Sequence, residues 1–411
     1  MVNVPLPGAL EGAAPVICGW TAQLAKLLSA LPDISLTVCY PQEISRTPLK
    51  TRTGSIRHIG FYEPADPLLS YPQWMEEGFR KILKEENPDF LHIWGTEYVH
   101  ALALFNAFGD PSRVLVSIQG LISVYAQHYM ADLPAPLQKK YTLRDFYHHD
   151  NLLAQQEKYR IRGEFEKELL AKAEHVAGRT FWDKHYTEKL SPKARYHYCS
   201  EILREEFYDE AVWDFSRCKG NSIFCSQFYY PIKGFHKLLE ALPLILKKYP
   251  GATVRVSGGG IIFPGDIKGK LKQTAYIKYL ESLIQKYGLK DKIEFLGNLG
   301  PAEMKAEYLK AHVFVLPSAI ENSPNSLGEA MILGTPAVSA EVGGVKDMLP
   351  MDEQLYPFEN AALLAEKVCR IFDMGEGGIT ISEKEKELAS RSHAPDGCLE
   401  EYLTAYAALC Q

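Results

Sequence analysis

Two carboxylates and one lysine stand in surroundings suited to chemistry. Residues 313–336 read VFVLPSAIENSPNSLGEAMILGTP: a buried strand, a polar loop, a helix and a stop. Glu321 falls in that loop, at the carboxyl end of the strand, where open α/β sheets hold their ligands. A carboxylate there can accept paired hydrogen bonds from sugar hydroxyls. The N–H groups of Asn325 to Leu327 point into the same space from a helix N-terminus. Ser326 reads as the N-cap of this helix and Glu329, three residues on, as its capping-box partner, with Gly334 and Pro336 as the stop. Lys233, in YYPIKGF, lies just before a helical pattern of Phe235, Leu238, Leu239, Leu242, Ile245 and Leu246. A cation beside the positive end of a helix is unfavourable by roughly a few tenths of a kcal/mol unless an anion joins both. A diphosphate would reverse that sign. Gly258-Gly259-Gly260 follows another strand and either lets a ligand approach the backbone closely or forms a tight turn.

The elements that must position these groups alternate along the chain. Short β-branched runs are expected at Ser35 to Cys39, Phe90 to Trp94, Arg113 to Ile118 and His175 to Gly178, then at Ser222 to Cys225, Thr253 to Ser257, Lys292 to Leu296, Val313 to Leu316 and Ala337 to Ser339. Helical spacing fills the gaps, as at 21–31, 74–86 and 98–108. The rhythm predicts βα units in parallel sheets. A chain of 411 residues with 46% apolar side chains exceeds one core and predicts two domains. The polar stretches around 205–220 put the boundary at 216.

Composition narrows the function. A net charge of -6 gives no sign of a general nucleic-acid binder. No apolar run approaches the roughly 20 residues that a bilayer span requires. The start, MVNVPLPGAL, has neither a basic leader nor an apolar run of signal-peptide length, which predicts a cytoplasmic chain. Eight scattered cysteines without a C-x-x-C pair read as reduced thiols. Residues 137–172, with Lys139, Lys140, Arg144, Arg160 and Arg162 among aromatics and acids, read either as a solvated helical hairpin or as a surface for an anionic membrane or acceptor phosphate. Only Met1-Val2 precede a Pro-rich stretch, so the first strand is short or missing and a sheet position is left unfilled.

The pattern P-S-x-x-E-x7-E-A-M-x-x-G-T-P-x-V, followed by Gly343-Gly344-Val345-x-Asp347, resembles the retaining nucleotide-sugar glycosyltransferases of family 4, the glycosyl transferases group 1. The likeness extends upstream through Phe224 to Gly234, Arg255 to Gly260, Phe295 to Asn298 and Tyr308-x-x-Ala311, in order. It implies an α/β protein of the GT-B fold, two doubly wound Rossmann-like domains facing a central cleft. Residues 1–216 would bind the acceptor, 217–392 the nucleotide-sugar donor, and 393–411 would form a helix crossing back to the first domain. By resemblance Glu321 contacts the donor sugar, Glu329 the ribose, and Ser323, Pro324, Asn325, Ser326 and Leu327 border sugar and diphosphate. Lys233 and Gly234 take the diphosphate, Gly258 and Gly259 approach the ligand, and the backbone of Gly297 and Asn298 touches the base.

Two positions depart from the family. Gln227 stands where an arginine helps to clamp the diphosphate, and an amide brings neither charge nor a bidentate fork. Either affinity is lower, another cation helps, or the register of this loop differs. Gln119 stands where a histidine lies near the sugar, so hydrogen bonding is kept and titration is lost. Glu321, Lys233 and Gln119 are therefore the expected catalytic positions, with Gly19, Trp94 and Arg179 on the acceptor side; His92 reads as structural. The implied reaction moves a hexose from a UDP- or GDP-linked sugar to a glycan or lipid-linked acceptor in cell-surface polysaccharide biosynthesis. It retains configuration and needs no metal and no further cofactor. Peripheral contact with the inner membrane face would accompany a lipid-linked acceptor. The competing readings are a degenerate GT-B protein that binds without turnover and a sugar-nucleotide epimerase.

Overall fold

The computed structural model describes residues 1–9 and 19–410 and divides into two units. One comprises Met1–Val124, Lys158–Glu205 and Ser392–Gln411, the other Tyr125–Glu157 and Glu206–Arg391. The chain passes into the second unit at Glu206, before the expected 216, and residues 125–157 group with that unit although they lie in the first half of the sequence.

The first unit carries two sheets. Strands β1 (Thr37–Gln42), β2 (Leu49–Thr53) and β3 (Ile56–Tyr62) form one in the order β1-β3-β2, with β1 and β3 parallel and the hairpin β2-β3 antiparallel. Strands β4 (Leu91–Trp94), β5 (Val114–Ser117), β6 (His175–Gly178) and β7 (Arg195–Tyr198) form a wholly parallel sheet in that order. The sheet position that the sequence left open is occupied by the first two residues. Val2 N–H donates to Cys39 O of β1 at 3.0 Å, while Trp94 N–H of β4 donates to Met1 O at 2.9 Å. Met1 and Val2 thus bridge β1 and β4, each at the edge of its own sheet. The helix Pro395–Leu409 also belongs to this unit: the Tyr406 hydroxyl meets His92 Nδ1 at 2.8 Å, and the Tyr402 ring lies 5.3 Å from Trp94.

The second unit has one six-stranded parallel sheet. Its strands, β8 (Ser222–Cys225), β9 (Thr253–Val256), β10 (Ile293–Phe295), β11 (Val313–Leu316), β12 (Ala337–Ala340) and β13 (Leu355–Tyr356), run in the order β10-β9-β8-β11-β12-β13. Counted within the unit that is 3-2-1-4-5-6, the doubly wound order whose direction of winding reverses between the first and fourth strands. β8, β11 and β12 are buried along their whole length, as expected of a sheet covered by helices on both faces. Residues 125–157 dock onto the helices Phe235–Lys248 and Ala275–Lys286. His236 Nε2 meets Ala131 O at 2.9 Å, Lys237 Nζ bonds Asp132 at 2.6 Å, and the short helix Ala135–Gln138 lies against Ala275–Lys286. The expected long hairpin at 137–172 is instead three helices, Ala135–Gln138, Leu143–His148 and Leu152–Lys172. Among the described residues, no helix is long and apolar enough to cross a membrane.

Candidate active site

A sheet wound 3-2-1-4-5-6 opens a crevice at the carboxyl ends of β8 and β11, where successive connections leave in opposite directions. Lys233 and Glu321 lie on the two loops that border it. Lys233 ends the turn Pro231–Lys233 after β8, and its Nζ donates to Glu321 Oε1 at 2.6 Å. The ammonium lies 5.8 Å from the Tyr230 ring centroid. Burial works against its charge, but the Glu321 carboxylate, with Tyr230, drives its pKa well above the ordinary lysine value. The lysine is a cation throughout the physiological range, and Glu321 is its counterion.

Main-chain contacts set the separation of the two loops. Gly234 has φ +65°, and a Cβ there would sit 1.7 Å from Pro317 O, so only glycine allows the loop after β8 to meet the loop after β11. Next to it, Ala319 N–H donates to Ile232 O at 2.7 Å. On the far side, Gly343 has φ +52° and its missing Cβ would lie 1.8 Å from Glu321 O; Gly344 N–H donates to that same oxygen at 3.1 Å. Asn322 N–H donates to the Tyr125 hydroxyl at 3.0 Å. Glu321 is therefore fixed from three directions by its own backbone.

The helix after this loop is Asn325–Leu333, two residues longer at its start than the capping-box reading requires. Its N-cap is Pro324, which makes no side-chain cap bond, so Ser326 is already inside the helix and Glu329 lies beyond reach of the cap. Pro324 supplies the φ of -69° that a helix start accepts, and this overrides the Ser-x-x-Glu signal. Glu329 is buried instead beside Tyr308, whose hydroxyl shares its proton between Ser326 O at 3.0 Å and Glu329 Oε2 at 3.4 Å. Leu327 turns into the core, and its N–H donates to Pro324 O at 2.9 Å, so that amide is engaged within the helix. Asn325 and Ser326 start the helix on the site side, with Ser323 in the loop before them.

The remaining loops at this end of the sheet are stitched together. Ser257 Oγ donates to Ser226 O at 2.6 Å and Gly258 N–H to Gly297 O at 2.8 Å. Gly258 and Gly297 both have positive φ, and a Cβ on Gly259 would come 3.0 Å from Asn298 Oδ1. Three buried side-chain oxygens near the crevice, Gln227 Oε1, Ser318 Oγ and Asn325 Oδ1, have no hydrogen-bond partner. Orphaned buried acceptors and hydroxyls call for an explanation, and a polar ligand at the crevice supplies one. Ser318 and Tyr125 were not singled out from the sequence. Ser318 could have been found from the Pro-Ser pair that opens the motif, whereas nothing local marks Tyr125.

In the first unit the expected residues fare differently. Gln119 is half-buried two residues after the end of β5 and Gly19 opens the helix Gly19–Ser29; Cys18 lies outside the described residues. Trp94, expected to face an acceptor, is 7% exposed and stacked between His92 at 4.7 Å and Tyr402. Arg179 is turned inward as well. It donates to Ile118 O at 3.0 Å and pairs with Glu201 at 2.9 Å, holding the end of β5. Both side chains are buried at the strand ends where the sequence placed them. His92, bonded to Tyr406 and at 2.7 Å to Ser117 Oγ, is structural as expected. A buried residue not singled out, Glu166, accepts from the N–H groups of Ile122 and Ser123 and from the hydroxyls of Ser123 and Thr96. Burial pushes its pKa up to about 7 against those four donors.

Comparison with known proteins agrees with this geometry. Residues 216–389 match the model of the family described as glycosyl transferases group 1. Over 121 residues the chain is 31% identical to D-inositol 3-phosphate glycosyltransferase of Corynebacterium urealyticum, covering 28% of this chain and 26% of that protein. An uncharacterized glycosyltransferase of Methanocaldococcus jannaschii is 28% identical over 178 residues, 42% of this chain and 41% of the relative. The chain thus spans less than half the length of these curated relatives. Among solved structures, sucrose-phosphate synthase from Thermosynechococcus elongatus superposes with a TM-score of 0.73 at 18% identity, covering 95% of this chain and 92% of the other. An Anabaena protein solved in complex with UDP gives 0.58 at 16% identity, covering 85% and 86%. The fold is GT-B, α/β with two Rossmann-like domains. The class is thus set by the GT-B fold, and within it residues 216–389 are similar to the glycosyl transferases group 1.

Proposed function

We propose that the protein transfers a hexose from a UDP- or GDP-linked sugar to a glycan or lipid-linked acceptor, with retention of configuration and without a metal ion, in cell-surface polysaccharide biosynthesis. The observation that carries this reading is the meeting of Lys233 and Glu321 at the winding reversal of the sheet. In the reaction the bond from the anomeric carbon to the diphosphate oxygen breaks. A bond from the acceptor oxygen forms on the same face, and the acceptor proton passes to the departing phosphate. Positive charge develops on the sugar and negative charge on the leaving group. Lys233 and the start of the helix Asn325–Leu333 supply fixed positive potential for the second. Glu321, released from Lys233, accepts from the sugar hydroxyls and orients the ring. Glu329 beside Tyr308 takes the ribose. Gln227 and Gln119 contribute hydrogen bonds only, and with a neutral Gln227 the diphosphate relies on Lys233 and main-chain N–H groups.

The acceptor belongs to the same reading: a lipid-linked glycan at the inner membrane face, with the protein attached peripherally. Binding without turnover is the second reading, favoured by the two glutamines at positions where charge or titration would help. Thermal-shift titration with UDP, GDP, ADP and their sugars, followed by assays of donor hydrolysis and transfer, separates the two. Transfer requires turnover that is lost in Lys233→Ala and Glu321→Ala. Saturable sugar-nucleotide binding with no turnover across many acceptors would establish the binder instead.

A further inference from the structure

The helix Leu143–His148 in the second unit presents its apolar side to solvent. Leu143, Phe146 and Tyr147 are three and four residues apart, so they share one side, and they are 69%, 72% and 80% exposed. Tyr141, just before the helix, is 61% exposed. The side turned inward is polar. Thr142 and Asp145 are buried and form a capping box, Thr142 Oγ1 accepting from Asp145 N–H at 3.1 Å and Asp145 Oδ2 accepting from Thr142 N–H at 3.0 Å. Arg144 then ties Asp145 to Asp150, at 3.2 and 3.4 Å. Helices of globular proteins normally bury the apolar stripe and expose the polar one. Here the capping and ion-pair contacts hold the helix the other way round.

A second exposed segment shares an anchor with it. Residues 261–272 follow β9 and carry the short helix Ile267–Leu271, with Ile267 77% and Leu271 46% exposed. Asp266 caps this helix, accepting from Gly269 N–H at 2.9 Å. The segment is fastened to the helix Ala275–Lys286: Glu281 Oε1 accepts from Phe263 N–H and from the Gln273 amide, each at 2.5 Å. The stretch that leads into the first segment is fastened to the same helix, since His236 joins Ala131 O to the Tyr276 hydroxyl at 2.9 and 3.1 Å. Charge follows the same layout. Lys139 and Lys140 are exposed beside Tyr141, and Lys268, Lys270 and Lys272 are exposed beside Ile267 and Leu271. The acids within these segments, Asp145 and Asp266, are both engaged in caps.

We propose that residues 139–149 and 261–272 together form an attachment surface for an anionic phospholipid bilayer. Exposed Tyr and Phe interleaved with lysines suit the headgroup boundary, where rings enter the interface and ammonium groups stay with the phosphates. The local cationic excess is opposite in sign to the net charge of -6 carried by the whole chain. A negatively charged leaflet therefore attracts these two segments while repelling the protein's average surface. This deepens the proposed peripheral attachment, but its evidence is independent of sugar transfer.

The test is co-sedimentation of the full chain with phosphatidylcholine vesicles, with and without phosphatidylglycerol at about one lipid in three. Wild type should sediment with the anionic vesicles only, and less so as salt rises. Phe146→Ser with Tyr147→Ser, and separately Lys268→Glu with Lys270→Glu and Lys272→Glu, should each lower vesicle affinity by about tenfold or more, with unchanged thermal midpoints because these side chains are exposed. Lys233→Ala should lose donor hydrolysis and keep vesicle binding, which separates this surface from the proposed chemistry. Wild type left in the supernatant, or either multiple variant sedimenting like wild type, overturns the proposal. So does light scattering that shows a self-associated wild type dispersed by Phe146→Ser/Tyr147→Ser without any vesicle binding.

Discussion

Glu321→Gln tests the idea that Lys233 is held by an internal counterion until a ligand arrives. With Nζ 2.6 Å from Oε1, the gross attraction at an effective dielectric of about 20 is roughly 6 kcal/mol. Most of this is cancelled by the cost of keeping two charges partly out of water, leaving a net of about 1–2 kcal/mol. A free nucleoside diphosphate has no sugar for Glu321 to bind and must compete with that carboxylate for the lysine. Removing the charge while keeping the shape should therefore tighten UDP or GDP binding by roughly five- to thirtyfold. The same change weakens the intact sugar nucleotide relative to the free diphosphate, since the amide is a poorer acceptor for hydroxyls. Isothermal titration of both ligands against wild type and Glu321→Gln reads the two effects side by side. If the variant binds the free diphosphate more weakly than wild type, the lysine is not restrained by Glu321 and the argument fails.

Three further outcomes are expected. Gly343→Ala places a methyl group 1.8 Å from Glu321 O at φ +52°, so it should lower stability by about 2–4 kcal/mol in urea titrations and cut donor hydrolysis in the fraction that folds. Tyr125→Phe removes the acceptor for Asn322 N–H beside Glu321 and should cost about 1 kcal/mol, seen as a raised KM for the donor with the circular dichroism spectrum unchanged. Glu385, whose Oε1 accepts from Ala337 N–H and the Gln354 amide, is pushed by burial from an ordinary 4.5 up to about 8. The folded state thus holds this proton more tightly than the unfolded chain. Its contribution is complete below the unfolded value and is lost as pH rises toward 8, at up to about 1.4 kcal/mol per pH unit. Glu385→Gln should flatten that part of the stability profile, and an identical slope between pH 5 and 8 in wild type and variant would rule the assignment out.

Legibility in the sequence tracked burial. β8, β11 and β6 fell where the runs of apolar and β-branched residues put them, because a strand covered on both faces must be apolar throughout. The hairpin β2-β3 went unseen: β2, Leu-Lys-Thr-Arg-Thr, is almost entirely exposed and carries no alternation. β7 is Arg-Tyr-His-Tyr at a sheet edge and β13 only two residues, too little signal for either. The pairing of Lys233 with Glu321 was within reach, since each stood at a strand end in a recognisable motif. The Tyr125 contact was not, because it joins positions 197 residues apart and depends on 125–157 docking onto the second unit. The burial of Trp94 and Arg179 was hidden for a related reason. The end of a parallel strand is a place where ligands bind, but a single sequence does not tell which side chains there turn inward, as Trp94 does against Tyr402 and Arg179 against Glu201.

The two glycines that let Pro317 O and Glu321 O come so close have an implication for how such a protein can diversify. Because the spacing of lysine and carboxylate is dictated by peptide groups, the neighbouring side chains are free of any duty to maintain it. Gln227 and Ser318 can be exchanged to suit a different ligand without moving Lys233 or Glu321. New preferences would thus arise by repainting the walls of the crevice, whereas a methyl group at either glycine would dismantle its frame.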